Sequence, residues 1–191
     1  MGRVVVTEFV TLDGVMEDPG GAEGFDRGGW AFQFERGPEG DKYKMDELLE
    51  AEAMLLGRVT YEGFAKAWPS LTDEVGFADK MNNMPKYVVS TTIRDPEWNN
   101  TTVLSGDAAE EVRKLREQAG GNILVAGSAT LVGTLAENDL VDEYRLMVYP
   151  IVLGRGKRLF RDDLEKTRLQ LVEAKPVGDG VVVLTYGKAE S

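Results

Sequence analysis

Short apolar runs recur along this chain, and most are followed by residues spaced for a helix. Runs rich in Val, Ile, Leu and Thr predict strands at 3–10, 53–57, 86–92, 101–104 and 122–126. Between them the spacing predicts helices at 41–51 and 60–67, and a third that opens at Thr72-Asp73-Glu74 and ends near Asn83, where Met84-Pro85 breaks it. Ser105-Gly106-Asp107 caps a fourth, whose Val112, Leu115 and Ala119 stand at i, i+3 and i+7 before Gly120-Gly121 ends it. A fifth covers 128–137. After that the rhythm changes. Strands at 143–151, 169–175 and 181–187 follow one another without a helix, the last two joined by the hairpin signal Gly178-Asp179-Gly180. Alternating strands and helices closed by strands alone predict an α/β fold of three layers. Its sheet is mixed and mostly parallel, with an antiparallel C-terminal edge and helices on both faces.

Three predicted strand ends carry polar or glycine residues suited to an anion. In Ala53–Tyr61 a buried strand stops at Gly57 and runs into a helix start near Thr60. Glycine admits a ligand close to the backbone, the first N–H groups of a helix are free, and Arg58 adds a planar charge. The alternative is an ordinary strand-to-helix turn with a solvated arginine. Leu124-Val125-Ala126-Gly127-Ser128-Ala129-Thr130-Leu131 repeats the logic, and Ser90-Thr91-Thr92 with Arg94 nearby forms a third polar strand end. Neither glycine turn is the G-x-G-x-x-G of a dinucleotide-binding fold. Because the carboxyl ends of parallel strands share one edge of a sheet, all three can meet a single ligand with several phosphates.

The region 17–40 has no clear period. Seven glycines, Pro19 and Pro38 separate Phe25, Trp30, Phe32 and Phe34. Two readings stand: a lid that lays apolar surface over a ligand, or a surface loop pinned by its own aromatic cluster.

The 191 residues fit one domain running from 1 to 191. A net charge of −11, from 22 basic and 33 acidic side chains, argues against a sequence-independent grip on nucleic acid or an anionic membrane. The sequence has neither an 18-residue apolar run nor a secretory leader, so the expected location is the cytoplasm. The chain also lacks cysteine and histidine altogether. That removes disulfides, thiolate nucleophiles, an imidazole base, the Ser-His-Asp triad and the usual zinc site, so no metal is expected. Carboxylates, Lys, Tyr, Ser and Thr remain, or a cofactor that brings its own reactivity.

Gly57-Arg58-Val59-Thr60-Tyr61, the strand ending in Ser90, and the Val125-Ala126-Gly127-Ser128 turn resemble the dihydrofolate reductase superfamily, as does Leu140-Val141-Asp142-Glu143-Tyr144 leading to Tyr149-Pro150-Ile151-Val152-Leu153-Gly154-Arg155-Gly156. The branch most similar is the C-terminal reductase domain of bacterial riboflavin biosynthesis proteins, whose S-L-D-G-like signature Thr11-Leu12-Asp13-Gly14 matches with Thr for Ser. The resemblance implies a dihydrofolate-reductase-like fold with NADPH across the strand ends. Gly57, Arg58 and Thr60 would meet phosphates, Ser90 and Thr91 the adenosine 2′-phosphate side, and Gly127, Ser128, Ala129 and Thr130 the pyrophosphate. Ala126 departs from the family's Gly-Gly pair, a methyl that a negative φ would tolerate.

For the substrate, the superfamily's helix acid aligns only loosely with Asp41, Asp46 or Glu47. Asp13 is the residue expected beside the nicotinamide, holding an amide, amine or iminium of the substrate and, as the alternative to water, supplying the proton, unless it merely makes an Asx-turn at Gly14. Gly154-Arg155-Gly156-Lys157-Arg158 is either a substrate-phosphate site, as in ribosyl-phosphate reductases, or a cationic surface turn. The expected activity is NADPH-dependent reduction of a C=O or C=N group in a small pterin-, pyrimidine- or carbonyl-type substrate. The other reading is a dinucleotide-binding module without reductase activity, acting as sensor or assembly partner. The resemblance also implies a homodimer built on apolar positions of the 143–151 and 169–187 strands.

Overall fold

Val4, Val5 and Val6 are all fully buried, which requires cover on both faces of the strand that carries them. The computed structural model of the protein describes residues 1–189 and provides that cover. β1 (Arg3–Thr11) lies inside an eight-stranded sheet with β2 (Ala51–Gly57), β3 (Lys86–Val89), β4 (Thr101–Leu104), β5 (Asn122–Val125), β6 (Glu143–Tyr149), β7 (Leu169–Val177) and β8 (Val181–Lys188). The order across the sheet is β4-β3-β2-β5-β1-β6-β8-β7. β1 to β6 pair in parallel, and the β7–β8 hairpin joins β6 as the antiparallel edge that the sequence predicts.

Val4, Val6 and Val10 pack with α4 (Ala108–Gln118) and α5 (Ala129–Glu137) through Val112, Leu115, Leu131, Val132 and Leu135. Val5 faces the opposite way, into a cluster with Leu48 of α1 (Gly37–Glu50), Tyr61 of α2 (Arg58–Ala67) and Met81 of α3 (Phe77–Asn83). The two-residue period of the strand thus divides one apolar run between two cores.

Several boundaries differ from the sequence expectation for local reasons. α2 begins at Arg58 rather than Thr60, with Gly57 in extended backbone as its N-cap. α3 begins at Phe77, because the Asp73 carboxylate accepts from the amides of Val75, Phe77 and Ala78 and holds residues 73–76 in a turn ahead of the helix. β3 stops at Val89, since Ser90 Oγ accepts from the amides of Thr92 and Ile93 and turns the chain. α1 begins at Gly37, so the glycine-rich segment is shorter than 17–40.

Register decides where the sheet opens. β5 ends at Val125, opposite Val6 of β1 and Leu55 of β2, whereas β1 continues to Thr11 beside β6. Thr7, Glu8 and Phe9 therefore have no strand neighbour on their β5 side. The gap lies at the carboxyl end of the parallel strands, where the chain order reverses and ligands enter folds of this kind.

Lys86 at the start of β3 is fully buried. Its Nζ donates to the carbonyls of Met81 and Asn82, both at 3.0 Å, and of Met84 at 2.9 Å, closing the end of α3 while lying 4.4 Å from the Trp98 ring centroid. Burial pushes its pKa down to about 8. Removing the ammonium strands three carbonyls away from water, so Lys86→Met should cost about 2–4 kcal/mol of stability. Urea unfolding followed by tryptophan fluorescence checks this, and a loss under about 0.5 kcal/mol would mean that the carbonyls find other partners.

Candidate active site

The gap between the ends of β1 and β5 widens into a cavity of about 480 Å³. Thr7, Glu8 and Phe9 form one side, and Lys44, Glu47 and Leu48 of α1 line it as well. Phe64, Trp68 and Phe77 build an aromatic wall, with Trp68 and Phe77 rings 5.5 Å apart and Phe64 and Trp68 rings 6.3 Å apart. Glu17, Pro19, Gly20, Glu23, Ala31 and Phe32 supply the rim.

Two strand-to-helix turns meet at one end of this cavity. The Gly57 N–H donates to the Gly127 carbonyl at 3.0 Å. A side chain on Gly57 would strike Ser128 Oγ, and one on Gly127, whose φ is +96°, would lie 2.7 Å from Thr60 Oγ1. Ser128 caps α5 by accepting from the Leu131 amide. Val59 and Thr60 in the first turn of α2, and Ala129 and Thr130 in the first turn of α5, all line the cavity. Two helix amino termini, each with unpaired N–H groups and a partial positive charge, thus face one space. Ala126 lines it too, and its φ is not positive, so the methyl group is accommodated.

The cofactor residues expected from the sequence divide into two groups. Thr60, Gly127, Ser128, Ala129 and Thr130 line the cavity, with Gly57 packed directly behind Ser128. Arg58, Ser90 and Thr91 stand at the same sheet edge, outside the lining. Arg58 is turned onto Glu62, one helical turn along, at 2.9 Å, and Ser90 is occupied with its own turn.

A buried charge cluster occupies the floor. Lys44 pairs with Glu47 and donates to Thr7 Oγ1 at 2.7 Å, while Thr7 Oγ1 donates to Glu47 Oε2 at 2.9 Å. Glu8 is half-buried as a residue, yet its Oε1 is sealed from solvent and has no hydrogen-bond partner among the described residues. Burial pushes the Glu8 carboxyl well above the usual carboxylate range, and Glu47 and Glu23 push the same way against Lys44 and the Gly127 backbone. Of the three helix acids considered from the sequence, only Glu47 faces the cavity. Asp41 pairs with Arg36 and Asp46 with Lys42 on the surface.

The sequence matches the RibD C-terminal domain over residues 3–183. This chain belongs to the RibD C-terminal domain family. YyaP, an uncharacterized protein of Bacillus subtilis (strain 168), is 30% identical over 187 residues, covering 96% of this chain and 94% of that one. Among solved structures, a putative riboflavin biosynthesis protein from Shewanella sp. PV-4 aligns with a TM-score of 0.78 at 17% identity, over 98% of this chain and 99% of that one. The diaminohydroxyphosphoribosylaminopyrimidine deaminase/5-amino-6-(5-phosphoribosylamino)uracil reductase of Thermotoga maritima aligns with a TM-score of 0.64 at 17% identity, over 98% of this chain and 57% of that one. The family and the fold agree with the resemblance seen in the sequence, and RibD C-terminal domains are reductase-type domains.

Two further segments of this RibD-type domain frame the cavity. Trp30 is buried, donates from Nε1 to the Glu17 carbonyl at 2.9 Å and packs edge-on to Tyr149, and Phe34 lies against the same tyrosine. The glycine-rich loop is thus pinned by its aromatics, as one of the two sequence readings holds. Phe32 is the exception, lining the cavity while 80% exposed. In the 154–158 turn, Arg155 pairs with Asp26 and Arg158 donates to the Asp13 carbonyl, so Lys157 alone lines the cavity.

Asp13 requires a correction. It does not line the cavity. Its Oδ1 accepts from Thr11 Oγ1 at 2.6 Å and from the Leu153 amide at 3.1 Å, and its Oδ2 accepts from the Gly154 amide at 2.7 Å. The carboxylate ties the turn after β1 to the loop after β6, because the parallel β1–β6 pair brings both exits together. Desolvation pushes its carboxyl up, but the hydrogen bonds from Thr11, Gly154 and Leu153 outweigh it and hold the group below the usual range. Asp13→Asn sets an amide group against an N–H donor and should cost about 1–2 kcal/mol. Since the folded-state carboxyl is the stronger acid, its contribution is present above the usual Asp range and fades as pH falls through the lowered value. Urea unfolding at pH about 7 and about 3 should therefore show the gap between wild type and variant shrinking in acid. Equal stability of both proteins at neutral pH would remove the bracing role.

Proposed function

We propose that this protein is an NADPH-dependent reductase of a small substrate with a C=O or C=N bond, of pterin, pyrimidine or related carbonyl type, acting in the cytoplasm. The observation that carries this reading is the convergence of two helix amino termini across the Gly57–Gly127 contact, in the same cavity as a buried acid cluster. The residues present fit a dinucleotide. Close approach of a phosphate chain needs backbone without side chains, which Gly57 and Gly127 provide, and its charge needs donors that cost little to organise, which the first turns of α2 and α5 provide. Thr60, Ser128, Ala129 and Thr130 would hold the diphosphate. Arg58, released from Glu62, would meet the 2′-phosphate with Ser90 and Thr91.

NADPH supplies a hydride when bound. The chain's own residues then bind, orient and exclude water. Phe64, Trp68 and Phe77 offer flat apolar surface that suits a planar ring, and Phe32 and the 17–23 rim cover its outer side. Glu47, kept in place by Lys44 and Thr7, offers its free Oε1 to an N–H group of such a ring. Fixing the two partners in one dry space supplies most of the rate advantage in reactions of this kind.

A ligand specific for the native state adds roughly 2.7 kcal/mol at about a hundred times its dissociation constant. NADPH at such a concentration should raise the melting temperature, and NADH should raise it less for want of a 2′-phosphate. Equal shifts with the two nucleotides, or none, would remove the assignment. The protein should also be a homodimer. Leu171 and Val172 on the edge strand β7 are 52% and 65% exposed, an apolar pair that a second copy would cover. Light scattering should return a mass near twice the 21.0 kDa of one chain, and a monomer mass at micromolar concentration would exclude the dimer.

A further inference from the structure

The cavity floor holds two acids and one lysine. Lys44 Nζ sits against Glu47 and Thr7, and Thr7 gives its hydroxyl proton to Glu47, so the lysine and the hydroxyl are committed to one of the two acids. Glu8 comes next along β1, where the absence of a β5 neighbour exposes it to the cavity, and its Oε1 has neither a cation nor a hydrogen-bond donor. A second anion there, with one oxygen unpartnered and only the Gly127 backbone and the shared Lys44 to balance it, is costly, whereas a neutral carboxylic acid is less so and keeps an O–H to donate. With no histidine or cysteine in the chain, the groups able to hold a transferable proton at this spot are few. We propose that Glu8 is the proton donor of this site, handing its carboxyl proton to the nitrogen or oxygen of the bond being reduced.

The proposal rests on the reductase reading. The substrate's C=N or C=O bond gains a hydride at carbon, with both electrons, from a reduced nicotinamide, which is thereby oxidised. The O–H bond of Glu8 breaks as an N–H or O–H bond forms on the substrate heteroatom, and the Glu8 carboxylate recovers a proton from water through the cavity mouth. The groups facing Glu8 suit both halves of that cycle. Burial, Glu47 on α1 and Glu23 on the rim favour the protonated acid before transfer, while Lys44 on α1 and the Gly127 backbone at the β5–α5 turn favour the carboxylate afterwards. Two neighbouring carboxyls with different surroundings can in this way take different roles, one holding the substrate and one donating the proton.

The decisive experiment has a free-protein arm and a turnover arm. In the first, carboxyl signals of 13C-glutamate-labelled protein are titrated by NMR. One glutamate should titrate well above the ordinary range near about 4.3, vanish in Glu8→Gln and move higher still in Lys44→Met, where the cation that favours its carboxylate is gone. Urea unfolding gives a second readout. A raised folded-state pKa means that stability from Glu8 is complete below the ordinary range and is lost as pH rises through the folded value, so Glu8→Gln should gain on wild type as pH increases. Titration of every glutamate in the ordinary range, or survival of the high signal in Glu8→Gln, would overturn the proposal.

In the turnover arm, NADPH oxidation is followed with a panel of carbonyls and imines. Glu8→Gln should lose about 100-fold or more in turnover with NADPH affinity within about twofold, the wild-type rate should fall as pH rises through the Glu8 pKa, and Glu8→Asp should recover part of the rate. Circular dichroism shows whether each variant is folded. A wild type that neither binds NADPH nor oxidises it brings down the reductase reading and this step with it. A wild type that turns over while Glu8→Gln turns over equally well brings down the role of Glu8 alone.

Discussion

The hydrogen bond from the Gly57 amide to the Gly127 carbonyl, 3.0 Å long, joins the two turns on which the cavity depends. β2 and β5 are neighbours up to Leu55 and Val125, and beyond that point this contact keeps their helices starting side by side. Both glycines are needed for space. A side chain at either would push against Ser128, the N-cap of α5, or Thr60 in the first turn of α2. Moving the turns apart would separate two partial positive charges that now face one space.

The other half of the site follows from the same early ending of β5. A central strand is normally apolar on both faces, and β1 obeys that rule from Val4 to Val6. Thr7 and Glu8 break it at the residue where β5 stops, and α1 brings Lys44 and Glu47 over the opening. Charge is otherwise abundant on this protein and mostly solvated, with a net −11 over the chain. On the cavity floor it is withdrawn from solvent, and Lys44 and Thr7 are taken up by Glu47, which makes the two acids differ.

Around this centre the chain spends many contacts on holding the rim. Tyr149 collects Phe9, Trp30 and Phe34 at ring separations of 5.5, 5.4 and 6.1 Å, so the loop ahead of α1 is anchored to the end of β6. Asp13 fastens the neighbouring β1 and β6 exits. A firm rim of this kind leaves Phe32 at the cavity while its ring stays largely exposed.

Local patterning along the chain is enough for the kinds and order of elements, the parallel sheet with its antiparallel edge, the two glycine turns, and the chemistry excluded by the lack of histidine and cysteine. These are local properties: strand and helix periods record burial on one face or two, and a glycine before a helix marks a turn wherever it ends up. Which acids meet in the cavity is a tertiary property. Glu8 and Glu47 are separated by many residues and adjoin because α1 crosses the end of β1, which no local pattern encodes, although the polar pair Thr7-Glu8 at the end of an apolar run was the available sign. Asp13, in a strong motif, turned out to hold two backbone amides 140 and 141 residues away. Arg58 lies beside the expected site with its guanidinium on Glu62, since a helix that starts at Arg58 puts residue 62 one turn above residue 58. Side-chain roles depend on which distant partner arrives first in space, and that is set by register and topology.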